Sequence, residues 1–122
     1  MKLYIAVLDE FPDYMTPTLV AHSVLAAHLK FSEKHQDESG WRDGEYYYPR
    51  YIEWLENSFK KCVVSVNQKE FDKIATLPNV HIGYEKHTLD GKPSCAVVCP
   101  IPNEELPNVL KFAKLWKPKN AE

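Results

Sequence analysis

The chain has 122 residues, and its 15 Lys and Arg against 17 Asp and Glu give a formal charge of −2. A hydrophobic share of 44% with 12% aromatics excludes a disordered chain, and the length fits a single domain over residues 1–122. This is no basic surface built on phosphate contacts, and only Arg42 and Arg50 carry the guanidinium fork, so duplex DNA is not an expected partner.

Lys2–Asp9 (KLYIAVLD) is apolar on both alternating faces, Leu3/Ile5/Val7 and Tyr4/Ala6/Leu8, which predicts a strand buried on both sides in the middle of an α/β sheet. Its apolar run is too short for a bilayer span or a signal segment, since Asp9 and Glu10 follow at once. Three cysteines without paired spacing predict reduced thiols. Together these point to a cytoplasmic protein with no membrane partner.

Thr16 as N-cap and Pro17 at the first helical position start a helix. Val20, Val24, Ala27 and Phe31 form its predicted buried stripe. Residues 32–58 read as an aromatic and acidic insertion. Its polar part, Ser32–Tyr48, holds Gly40, Gly44, Trp41 and three tyrosines, and Pro49 opens a second helix through Phe59 that buries Ile52, Leu55 and Phe59. Cys62–Val66 is a short strand. Asn67 and Glu70 then form a capping-box start for a helix with Phe71, Ile74 and Ala75 inside, ended by Pro78.

Val80–His87 and Ser94–Pro100 are strands joined across the Asp90-Gly91 turn signal. Asn103 caps a last helix, with Glu104 and Glu105 in its first turn and Leu106, Leu110, Ala113 and Trp116 inward; Pro107 distorts its start. The order β-α-α-β-α-β-β-α predicts a four-stranded mixed sheet in a three-layer α/β/α sandwich.

Metal chemistry finds little purchase. Cys95 and Cys99 lie roughly 13 Å apart along one strand face, too far for a disulfide or a shared ion, and read as buried structural thiols. His22 and His28 stand about 120° apart on the first helix, and His81 and His87 about 20 Å apart in a strand. No metal motif, glycine-rich phosphate loop or G-x-S-x-G elbow occurs, so neither metal nor cofactor is expected.

A geometric site remains where the first strand ends at Asp9-Glu10 and Thr16 and Thr18 open the following helix, a place that receives a phosphate or a polarised carbonyl. The plainer reading is that Thr16 caps and the acids are solvated. The aromatic group of Trp41, Tyr46, Tyr47, Tyr48 and Tyr51 suits base stacking, a packed loop or a subunit contact such as a homodimer.

On this order of elements, TLVAHSVLAAH around Val20-Ala21-His22 resembles the first-helix motif of the archaeal and eukaryotic-type peptidyl-tRNA hydrolases. KCVVSVNQKEFDKI (61–74) is similar to that family's second strand and following helix, and SCAVVCPIPNEELPNVLKFAKLW (94–116) to its closing segment. The resemblance spans most of the chain outside about residues 32–58. It implies cleavage of the ester between a peptide and tRNA, in a site built from the first-helix start and the loop before the last strand.

Carried over residue by residue, it places His22 in the site, beside the equal reading of a satisfied helix histidine facing the sheet, and Thr88 at the motif threonine, with Glu85 as a displaced carboxylate. The family's catalytic lysine has no counterpart near Asp13–Met15, its glutamine corresponds to Leu19, and Tyr84–Thr88 replaces D-A-G-x-T. General acid/base chemistry is then assigned to His22 or His87, oriented by Glu85 or Asp9, with Thr16, Thr18 or Thr88 positioning a carbonyl or phosphate.

Three functions follow. One is a divergent peptidyl-tRNA hydrolase. Another is a relative that binds or cleaves a small nucleotide immune signal, by analogy with compact, phage-encoded members of the fold. The third is a non-enzymatic interaction protein using Trp41–Tyr51 as its contact patch.

Overall fold

The computed structural model describes residues 1–35, 44–86 and 89–119. Its strands are β1 (Lys2–Leu8), β2 (Lys60–Val66), β3 (Val80–Glu85), β4 (Lys92–Ile101) and β5 (Lys114–Leu115). Its α-helices are α1 (Thr16–Phe31), α2 (Pro49–Glu56), α3 (Gln68–Ala75) and α4 (Asn108–Lys111). The sheet is mixed and runs β3-β4-β1-β2-β5. β1 pairs with β2 in parallel and with β4 antiparallel, and β3 also pairs antiparallel with β4. β1, β2 and β3 therefore all point the same way.

The two-sided apolar pattern of β1 has a direct structural cause. Tyr4, Ala6 and Leu8 join Val64, Val66, Phe71, Ile74 and Leu110 on one face. Leu3 and Ile5 join Ala27, Phe31, Tyr51 and Trp54 on the other. α3 and α4 thus cover one face, and α1 and α2 the opposite one. No helix among the described residues is long and apolar enough to cross a membrane.

Several expectations need correction. The sheet has five strands rather than four, because the predicted last helix breaks up. Leu106, ahead of Pro107, sits in extended backbone (ψ 122), as a pre-proline residue prefers. What remains is a 3-10 turn at Asn103–Glu105, the short α4, and β5, whose neighbour Trp116 donates its N–H to Val63.

α2 stops at Glu56 and buries Tyr51 and Trp54, whereas Phe59 is 51% exposed with a left-handed φ of 51°. Residues 32–58 are thus only partly an excursion from the core, since α2 fills one sheet face. The buried stripe of α1 includes Leu19 and Ser23, leaving Val20 and Val24 half-buried. β3 ends at Glu85, short of the expected His87. The Asn67–Glu70 capping box forms as expected, with both reciprocal hydrogen bonds. Asp90 and Gly91 both adopt positive φ at the turn (52° and 79°).

Candidate functional site

α1 leaves the carboxyl end of β1 and runs back across β3 and β4. Gly83 permits a close approach there: a Cβ at that position would lie 2.0 Å from the Ser23 hydroxyl oxygen. Glycine in a strand often marks such backbone proximity. The fit brings the second turn of α1 over the last residue of β3, where His22 Nδ1 meets the Glu85 carboxylate at 2.9 and 3.3 Å.

The pair is lopsided, with the His22 side chain 60% exposed and that of Glu85 11%. A carboxylate only accepts hydrogen bonds, so Nδ1 is the nitrogen that donates to Glu85, and in the neutral ring the acceptor nitrogen is then Nε2. Thr18, one turn earlier and exposed, shares this helix face, and the exposed Leu25 and Leu29 continue it. The N–H groups of Leu89 and Gly91 both donate to the Glu85 carbonyl (3.3 and 2.8 Å).

Other expected site residues fall elsewhere. Thr16 is the first residue of α1 rather than its cap; it is 4% exposed and makes no side-chain capping bond, so it is not open to a ligand. Asp9 lies exposed at the same end of the sheet, its N–H on Val66, and takes no part in the His22–Glu85 hydrogen bonds. His87, Thr88 and Trp41 lie outside the described residues.

Tyr47 belongs to the opposite end. Its ring lies against His35 at a tilt of 41°, centroids 3.6 Å apart, and lines a cleft of about 560 Å³ with Arg50, Cys99, Pro100 and Glu105. Lys92, paired with Glu85, lies eight positions along β4 from Pro100, or roughly 26 Å. Tyr47 therefore does not share a site with His22. Across that cleft Arg50 and Glu105 form a two-pronged ion pair at 2.9 and 3.3 Å.

His28 bonds Tyr51 at 2.7 Å, tying α1 to α2. Burial pushes the Cys99 thiol up to about 11 and raises Cys62 and Cys95 as well, so all three sulfurs resist ionisation. Among the described residues, no three His, Cys, Asp or Glu side chains gather closely enough to hold a metal ion.

Sequence reading missed Gly83, the residue whose lack of a side chain lets α1 sit close enough for the pair. A lone glycine between Ile82 and Tyr84 was the available signal.

No family model matches the chain, and none of the curated proteins does. Among solved structures it is similar to a protein of unknown function from Agrobacterium tumefaciens strain C58. The TM-score is 0.56 at 13% identity, over 95% of this chain and 97% of that one. The likeness is one of fold.

Proposed function

We propose that this chain is a hydrolase of the peptidyl-tRNA hydrolase-like kind, a three-layer α/β/α sandwich working in the cytoplasm. In this reading His22 is the general base and Glu85 the residue that positions it. The observation that carries the reading is the His22–Glu85 hydrogen bond, which joins residues 63 positions apart. An ion pair with so exposed a partner returns about 0–1 kcal/mol, whereas burying a carboxylate costs several. Stability alone is a poor reason for this pair, and orientation of an accessible imidazole is a good one.

In the proposed reaction Nε2 takes a proton from water as the water oxygen attacks the ester carbonyl between the acyl group and the nucleotide. The resulting adduct loses the ribose oxygen, and His22 returns the proton to it. The Thr18 hydroxyl is suited to donate to the carbonyl oxygen, and Leu25 and Leu29 offer an apolar path for the acyl chain. Positioned acid/base groups contribute about 10²–10⁴-fold.

His22→Gln is therefore expected to lower kcat on an N-blocked aminoacyl-tRNA by about that factor. Glu85→Gln should lower kcat with little change in KM and an intact fold by circular dichroism. Complete survival of the substrate at micromolar wild-type protein would rule the reaction out.

The charge of −2 and the two arginines favour a second reading, a small nucleotide as ligand or substrate. It predicts a thermal shift with particular nucleotides that His22→Gln abolishes. A flat nucleotide screen would count against it.

A further inference from the structure

The closing segment carries a local charge that the total hides. Lys111, Lys114, Lys117 and Lys119 fall within nine residues that contain no acid. None of them has an ion-pair partner among the described residues. Between them Phe112 is 73% and Leu115 61% exposed.

The segment is anchored at several points in spite of that exposure. β5 pairs with Val64 and Ser65, and Trp116 donates to Val63 at 2.9 Å. The Lys119 backbone N–H donates to the Asp13 carboxylate, and its ammonium to the Phe11 carbonyl at 3.1 Å. Tyr14, beside Asp13, is 81% exposed, so a second ring stands where the strap crosses toward the start of α1.

We propose that this strap, Lys111–Lys119 with Tyr14, is a docking surface for a single-stranded polynucleotide, with the lysines on phosphates and the Phe112 and Tyr14 rings under bases. Lysines flanking an exposed ring, here Phe112 with Tyr14 nearby in the chain fold, are features of surfaces that bind single strands without reading sequence. No arginine lies within Lys111–Lys119, so the bidentate fork that reads guanine edges is absent from the strap.

The acids Asp9, Glu10 and Asp13 border the strap and limit its reach, which sets the expected affinity in the micromolar range or weaker. An anionic membrane is the poorer fit. β5 is pinned in the sheet, so Phe112 and Leu115 cannot sink to the depth of an interfacial helix. The proposal goes beyond the hydrolase reading and does not require it.

The test is fluorescence anisotropy with a labelled 12-nucleotide single-stranded RNA at increasing salt. Wild-type protein should bind, with a log–log salt slope of about −2 to −3, as four lysines allow at about 0.7 per phosphate. Lys114→Gln with Lys117→Gln should cut that slope by about half, and Phe112→Ala should weaken binding about tenfold. His22→Gln should bind like wild type, which keeps a failure of the hydrolase reading separate.

No binding at low salt, or a double variant that binds as tightly as wild type, would overturn the proposal. So would preference for phosphatidylserine vesicles over RNA. Circular dichroism on each variant checks that the strap substitutions leave the fold intact.

Discussion

Single side chains in this protein are tuned by what lies over them. His81, half-buried on β3, is held below its ordinary value of 6.5 by burial and by the Lys30 ammonium. The unfolded chain takes up a proton there at a pH where the folded protein resists it. Stability contributed by the neutral ring is therefore present above about pH 6.5 and lost as the pH falls. Thermal melts between about pH 7 and about pH 5 should show wild-type Tm dropping more steeply than that of His81→Gln. Parallel curves would remove His81 from the acid response. Cys99 makes the complementary case: with its thiol near 11, only about one sulfur in ten thousand is ionised at neutral pH.

Among the elements, α3 has the clearest local code. Its Asn67 side chain accepts from the Glu70 N–H while the Glu70 carboxylate accepts from the Asn67 N–H. Asn67→Ala removes half of that exchange and should cost about 1 kcal/mol in urea unfolding, with no change in the slope of the transition. A cost near zero would mean that Phe71 and Ile74 hold the helix unaided.

Local codes of this kind were readable in the residue order. The two-faced β1 was legible for the same reason, since burial on both sides demands apolar residues at every position. The end of the chain was not. LPNVLKFAKLW (106–116) has a helical spacing of apolar residues, yet Pro107 interrupts it and the open edge of β2 recruits Lys114 and Leu115 as a strand. That competition depends on a tertiary partner about fifty residues away. The His22–Glu85 pair was half legible: the residue types stood out, but their meeting rests on the space left by Gly83.

At the scale of the whole molecule, β5 does more than add a strand. It covers the outer edge of β2, and the residues beyond it fasten the Asp13 loop. A chain ending at Lys111 should lose about 2–3 kcal/mol and roughly 10 °C in Tm, judged by the few hydrogen bonds removed. Light scattering should also find larger species, because an uncovered strand edge recruits another chain. A monomer of unchanged Tm would contradict that role.

The position of β1 has a different consequence, for synthesis. Of the strands of this sheet, β1 leaves the ribosome before its neighbours and forms the middle, yet those neighbours arrive only at 60–66 and 92–101. With both faces apolar, it stays without its antiparallel partner until β4, at 92–101, has been made. Folding of the sheet should therefore wait for β4, limited by closing long loops rather than by forming helices. For the cell, the vulnerable moment of this protein is the interval when its most hydrophobic strand waits for its last neighbour.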